Sequence, residues 1–460
     1  MANVIKLRKG LDINLQGKAE EKKIQLKSNG KYALVPDDFE GVTPKVVVKE
    51  GDKVKAGDAL FVNKQYPEIK FASPVSGTVR EVVRGERRKV LCVKVDADSQ
   101  QEFTDFGKKD VGSLTGEQVI NALLEAGLFG YINQLPYAVS TNPSVMPKAI
   151  FVSALRDKPL AADFEYEVKG QEQDFVTGIQ ALSKIAKTHL GLGIQPDFQT
   201  VIRDLGIDNF AELNIFDGKC PAGNVGVQVN NVAPVNKGEV VWTIGDPTVV
   251  LFIGRLLNTG KVNLTRTVAL CGSEIKSPAY VDMLVGEELS TLLSNSYDAD
   301  HSVRIINGNV LTGKPTTKDG YLGAHTSEIT VIPEGDQADE FLGWILPRFK
   351  QFSVSRSYFS WLQNPWFASK KKQYALDARV KGGERHMIMS GEYDKVLPMD
   401  IYGEYLIKAI IAGDIDRQEA LGIYEVSPED FALAEFVDSS KLELQRIVRE
   451  GLNILRKENA

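Results

Sequence analysis

The chain has 460 residues, 43% of them apolar and 25% charged, with a formal net charge of -6. That length implies roughly two to four domains of ordinary soluble, globular composition, and an acidic balance without a long basic block argues against nucleic acid as a partner. Cys92, Cys220 and Cys271 are odd in number and far apart, which points to a reducing compartment and leaves no self-contained four-cysteine zinc or iron–sulfur site.

The opening stretch MANVIKLRKGLDINLQGKAEEKK carries a charge every few residues and no apolar core, so it is not expected to be a signal peptide. Residues 1–100 read as all-β. Glycine-aspartate turns at 51–52 and 57–58 separate short strands. GTVREVVRGERRKVLCVKV (77–95) predicts a hairpin around Arg84-Gly85-Glu86. Residues 101–255 change period. TGEQVINALLEAGLFG (115–130) predicts a helix with a capping box between Thr115 and Gln118. KAIFVSAL (148–155) has the length and continuous apolarity of a buried parallel strand. DFVTGIQALSKIAKTHLG predicts a second helix, with Gly191 as its stop. This is an α/β, Rossmann-like layer. Residues 256–335 return to β character around one short helix, EELSTLLSN, as in a β-grasp domain. Residues 336–460 begin with an irregular aromatic-rich stretch and end in helices. Gly413 stops one helix, Ser427 caps another, and Leu444, Ile447, Val448, Leu452 and Leu455 form the buried stripe of the last. No apolar run approaches the ~20 residues that span a bilayer, so a role at a membrane means docking onto a partner.

The turns at 51 and 57, followed by SPVSG (73–77), resemble the barrel-sandwich hybrid of biotinyl and lipoyl carriers. In those domains the modified lysine lies about seven residues before the turn; that place here is Tyr66, and Lys64 nearby lacks flanking methionines. A structural barrel without cargo is therefore expected. VNNVAPV (229–235) followed by TVALCGSEIKSPAYVDMLVGEELSTLL (267–293) resembles the flavin-bearing, NADH-oxidising subunit of respiratory complex I and the C subunit of Rnf complexes. IKLRKGLDI (5–13), LAAD (160–163), CPAG (220–223), GGER (382–385) and YDKVLPMDI (393–401), in that order, resemble the A-subunit family of the sodium-translocating NADH:quinone oxidoreductases. The resemblance implies an α+β multidomain chain: barrel-sandwich hybrid, complex I flavoprotein-like α/β domain, β-grasp domain of the SLBB type, and helical C-terminal domain. It also implies a peripheral subunit on the cytoplasmic side of a bacterial inner membrane. The assembly would oxidise NADH, reduce ubiquinone and export Na+, with the membrane-embedded B subunit as the main partner.

The departures bear on cofactors. Where the flavin-bearing relatives have a bare glycine loop for the flavin phosphate, this chain reads GLFGYINQLPYAV (127–139). Bulky residues and a proline do not line a phosphate nest. The tail lacks the relatives' cluster cysteines, with Ser439 and Ser440 in that area. No cofactor is expected in this chain; FMN, FAD, riboflavin and iron–sulfur centres are expected in partner subunits, and no catalytic residue carries over. The refilled segment suggests a flat apolar quinone head as ligand, with Tyr131, Asn133, Tyr137, Asn230 and Asn231 as contact candidates. For Asn230 and Asn231 the preferred reading is that they hold a turn through side-chain to backbone bonds. Nine aromatics between 341 and 367, followed by Lys370–Lys372, suit either a partner interface or a loop over the core; Trp344, Arg356, Trp361 and Trp366 are the interface candidates. His189, His301, His325 and His386 show no metal-ligand spacing and read as packing or surface residues. Two rival readings stand beside this one: an independent FMN-dependent NADH dehydrogenase, and a biotin or lipoyl carrier.

Overall fold

Strand Ala149–Ser153, buried at every residue, is the middle of a seven-stranded sheet. The computed structural model describes residues 3–298, 300–336, 345–349, 351–354, 358–360 and 372–459. On one side of Ala149–Ser153 lie Thr188–Leu192, Glu212–Asp217 and Asn3–Lys6, all parallel. On the other lies Val241–Ile244, also parallel, and then the antiparallel Asn133–Leu135 and Val139–Ser140. The chain thus winds outward from Ala149–Ser153 in one direction and returns to its opposite side. The crevice beyond the carboxyl ends of Ala149–Ser153 and Val241–Ile244 is the topological switch point, where open α/β sheets bind ligands.

Helix Gly116–Glu125 starts at the expected capping box: the Thr115 hydroxyl accepts from the Gln118 N–H and the Gln118 side chain accepts from the Thr115 N–H. The second helix spans Glu172–Ile185, short of the expected stop. Gly191 instead lies inside strand Thr188–Leu192, next to the middle one. A Cβ there would stand 2.0 Å from Gln228 Oε1, so the glycine admits a side chain from helix Val225–Val232 rather than ending a helix.

The barrel is two small sheets. Lys31–Leu34, Val90–Ala97, Gly77–Arg84 and Lys53–Val54 form one; Pro44–Val46, Ala59–Asn63 and Lys70–Ala72 form the other. The expected hairpin pairs Gly77–Arg84 with Val90–Ala97. The first thirty residues, expected within the barrel unit, go elsewhere. Asn3–Lys6 edges the seven-stranded sheet, and Lys23–Ile24 edges a six-stranded sheet with Ala279–Leu284. Both pairings are parallel and join residues more than 200 positions apart, so no local signal announces them.

The six-stranded sheet, from Lys314–Thr316 through Val303–Asn307, Glu328–Pro333 and Thr265–Cys271, carries the short helix Ser290–Leu293. In the tail, helix Gly403–Ala412 ends at the left-handed Gly413. Ser427 forms a capping box with Asp430. Leu444, Val448, Leu452 and Leu455 of Leu444–Glu458 are fully buried, with Ile447 at the margin of the same cluster. One continuous apolar cluster joins barrel and α/β sheet; a second packs the tail against Ile13, Leu15, Leu160 and Val227.

Candidate functional site

The turn that would carry a lysine arm is tied down. Tyr66 accepts a hydrogen bond from Asn142 Nδ2 of the α/β unit at 3.1 Å, and the Lys64 N–H donates to the Thr43 carbonyl at 2.7 Å.

The segment replacing the glycine loop faces two ways. Its two glycines meet the barrel: a Cβ on Gly130 would stand 2.3 Å from the Phe71 ring, and one on Gly127, at φ +71, 2.8 Å from the Ala72 nitrogen. The neighbouring N–H groups of Tyr131 and Ile132 donate to the carbonyls of Leu128 and Phe129. The Tyr131 ring is held edge-on by Phe39, His325 and Phe252, with centroids 5.0, 5.4 and 5.9 Å away. Strand alternation then puts Asn133 and Leu135 on one side, which Tyr131, at the end of the preceding turn, also faces. All three line a cavity of about 560 Å3 at the switch point, together with Thr243, which pairs with Asn133 in register.

Parts of every layer close this cavity. Leu155, Arg156 and Asp157 follow strand Ala149–Ser153, and Gly245 and Asp246 follow Val241–Ile244. The barrel adds Asp38; the six-stranded sheet adds Asn307 and His325; the tail adds Glu429 and Arg449. A buried ion network stiffens the floor. Arg156 bonds Glu167 at 2.7 Å and Asp246 at 2.9 Å, and Arg266 bonds Asp246 at 2.6 Å, the Ala324 carbonyl and Ser327 Oγ. Burial alone would raise the Asp246 pKa, but Arg266 and Arg156 outweigh it and hold the carboxyl well below the usual range. Lys158 pairs with Glu429 at 2.8 Å. Asp157 accepts the Gly223 N–H at 2.8 Å, and burial pushes its pKa up to about 6. Burial raises the Tyr131 phenol and lowers the His325 imidazole, so both are neutral near pH 7.

Against this charged floor stand neutral groups. Among the described residues, the side chains of Tyr131, Asn133, Thr243 and His325 have no hydrogen-bond partner, and all four line the cavity. Leu135, Ala138, Leu155 and Val225 supply the apolar part of the wall. Free neutral donors and acceptors beside apolar surface suit a flat, uncharged, carbonyl-bearing ligand.

The other candidates lie elsewhere. Tyr137, at φ +84, is outside the lining; its carbonyl accepts from Arg449 at 2.9 Å and its hydroxyl from Asn459 at 3.3 Å. Asn230 and Asn231 sit on helix Val225–Val232, not in a turn. Asn230 donates to Glu425 at 2.6 Å and accepts the Asp400 N–H at 3.0 Å; Asn231 donates to the Val227 and Pro398 carbonyls. They clamp the tail onto the α/β unit. Trp344, Arg356, Trp361 and Trp366 lie outside the described residues. Close by in sequence, Ile345, Leu346, Phe349 and Phe359 are exposed.

Three family models match in order: the NqrA N-terminal barrel-sandwich hybrid domain at residues 5–98, the NqrA second alpha/beta domain at 114–262 and the NQRA C-terminal domain at 267–318. The A subunit of the Na(+)-translocating NADH-quinone reductase of Histophilus somni (strain 2336) is 34% identical over 99% of this chain and 100% of its own. That of Neisseria meningitidis serogroup B is 32% identical with the same coverage. The chain belongs to the NqrA family, the A subunits of Na(+)-translocating NADH-quinone reductases.

An NqrA chain has the other subunits of its reductase complex as partners, and neither the carrier nor the independent dehydrogenase is favoured by full-length relatives of this kind. Barrel-sandwich hybrid, α/β domain and SLBB-type domain are the family's own parts, and the helical tail is consistent with them. Among the described residues, no helix is long and apolar enough to cross a membrane. A NAD+-reducing [NiFe]-hydrogenase overlaps 68% of this chain and 55% of its own at 10% identity and a TM-score of 0.33. The site residues that sequence reasoning missed for this NqrA-family chain are Arg156, Asp157, Thr243, Asp246 and His325. For Arg156, Asp157 and Asp246 the signal was position just past the ends of two parallel strands, readable only once the strand order is known; Thr243 lies within one of those strands and His325 comes from the six-stranded sheet's unit.

Proposed function

We propose that this chain is the peripheral A subunit, on the cytoplasmic side, of a bacterial Na(+)-translocating NADH-quinone reductase, that it carries no redox cofactor, and that its switch-point cavity receives the quinone head. The assembly's reaction is that of its relatives' name. FMN, FAD, riboflavin and iron–sulfur centres then belong to other subunits, and the membrane-embedded B subunit is the main neighbour. Three features support the absence of flavin phosphate binding here: the Tyr131 and Ile132 N–H groups already donate within the segment, Pro136 has none, and both glycines are needed against Phe71 and Ala72.

The observation that carries the quinone reading is the set of neutral, unpartnered groups on the cavity wall. A quinone offers two carbonyl acceptors on a flat apolar ring. The Asn133 amide and the hydroxyls of Thr243 and Tyr131 are donors of the matching kind, and Leu135, Leu155 and Val225 cover ring carbon. This chain's part is to bind and orient the head and exclude water while electrons arrive from another subunit.

The test is equilibrium binding of a short-chain ubiquinone to the isolated chain. Saturable micromolar binding is expected, weakened about fivefold in Tyr131→Phe or Thr243→Val, since one hydrogen bond contributes ~1 kcal/mol. No saturable binding, with full turnover of a complex carrying both substitutions, would sink the reading. The purified chain is also expected to be colourless; stoichiometric FMN released on denaturation would refute the cofactor assignment.

A further inference from the structure

The tail holds a second cavity, larger and more apolar, that shares no lining residue with the first. It measures about 1010 Å3 and runs between the segment 384–389 and helix Gly403–Ala412. That helix buries one apolar face and carries apolar side chains beside Lys408 on the other. Leu406, Ile407 and Ile410 enter the tail core. On the outer face, Tyr402, Tyr405 and Ile411 are 68%, 58% and 56% exposed, and the two tyrosine rings meet edge-on at 6.2 Å. A surface helix normally turns polar residues outward, so an outward apolar stripe bordering a groove marks an interaction surface.

The groove is pre-formed. Its outer wall is bonded to the rest of the tail: Arg385 N–H to the Ser440 carbonyl, Ile388 N–H to Ser440 Oγ, and Ser390 and Gly391 N–H to the buried Glu404 carboxylate at 3.1 and 2.7 Å. Arg385 has no carboxylate partner among the described residues, and neither has Lys408. Arg417 is matched by Asp414 at 3.2 Å. Glu384 is the other acid on the lining, so the unmatched charge is positive.

We infer that this groove seats an amphipathic helix of another subunit of the reductase, with apolar side chains at i, i+3 or i+4, and i+7 in the groove and a carboxylate facing Lys408 and Arg385. The inference needs only membership of a multi-subunit assembly and is independent of the quinone reading. Charge selects against a second copy of this chain, whose own Lys408 and Arg385 would meet their like across a two-fold axis. Concavity selects against a lipid surface, which is met by protruding side chains rather than by a walled groove.

The experiment uses the full chain and the membrane-embedded remainder of the complex prepared without it. Ile411→Asp, Tyr405→Ala and Lys408→Glu alter exposed side chains, so the Tm of each isolated variant is expected to match the parent within about a degree. Each is expected to raise the Kd for the remainder at least tenfold, as truncated aromatic or apolar anchors do. The three native cysteines are buried, so maleimide labelling of Ile411→Cys reads the groove directly: fast on the isolated chain, at least tenfold slower in the assembled complex. Equal labelling rates in both states overturn the proposal. So do slow labelling of the monomeric chain alone, which means its own segments cover the groove, self-association lost in Ile411→Asp, which means a second copy does, and protection by anionic lipid vesicles alone, which means a membrane does.

Discussion

Asn230 and Asn231 illustrate how little a side chain's type says about its destination. An asparagine pair near a flavin-like pocket invites a ligand role, yet both amides are committed to the tail, through Glu425, Asp400 and Pro398. Asn230→Ala leaves the Glu425 carboxylate and the Asp400 N–H unpaired at a half-buried contact and is expected to cost about 1–3 kcal/mol. Thermal unfolding of the isolated variant checks this, and quinone affinity should stay within twofold of the parent; a loss of affinity with unchanged Tm would return Asn230 to the binding site. Asp157 gives a pH prediction. Its folded pKa, about 6, lies above the unfolded value, so its contribution is fully present below about pH 4 and lost as pH rises through 6. His325, with a lowered pKa, has the opposite sign: its contribution is present above its unfolded pKa and lost as pH falls through the folded one. Comparing parent with Asp157→Asn cancels the histidine. The variant keeps an acceptor for the Gly223 N–H and removes the buried charge, so its Tm advantage should grow between pH 5 and pH 7.5, by roughly 1–3 kcal/mol in stability. A difference flat across that range would contradict the assignment.

Among elements, the barrel answers for its own retention. Stripped of a carrier lysine, it packs Phe39, Phe61 and Phe71 against Gly130 and Tyr131, sharing one apolar cluster with the α/β sheet. It therefore holds the segment that lines the switch-point cavity. Gly130→Ala places a Cβ where the Phe71 ring lies, and overpacking of this kind costs about 1–3 kcal/mol. Because Tyr131 is the next residue, quinone affinity should fall together with Tm, and Phe71→Leu on top of Gly130→Ala should restore part of both. Unchanged stability in the single variant would show that the barrel is not seated through this contact. Helix Gly116–Glu125 offers a local comparison: Thr115→Ala removes the cap for about 1 kcal/mol and should leave ligand affinity alone.

At the scale of the whole molecule, the cavity exists because four separate parts of the chain meet beyond the carboxyl ends of one sheet's inner strands. Asp38 comes from the barrel, Arg156 and Asp246 from strand ends, His325 from the SLBB-type sheet and Glu429 from the tail. Lys158–Glu429 and the Arg449 bonds to the Tyr137 and Ala138 carbonyls close it on the tail side. The outer groove shares no residue with this cavity and serves association, so groove variants should lower complex yield without altering quinone affinity, whereas cavity variants should do the reverse.

Period and turn chemistry made the local architecture readable in advance: the capped helix at Thr115, the hairpin at Arg84-Gly85-Glu86, the buried strand at Ala149 and the stripe of the last helix all arise from interactions within a few residues of one another. The ordered short motifs also carried the family. Other features depend on pairings across hundreds of residues. Strand order put Thr188–Leu192 in the sheet although the helix-like pattern runs on to Gly191. It sent Asn3–Lys6 to a sheet edge beside Glu212–Asp217. It gathered Thr243, Asp246 and His325 into one wall. Each of those outcomes rests on which elements become neighbours, and neighbours distant in sequence leave no periodicity in the chain that names them.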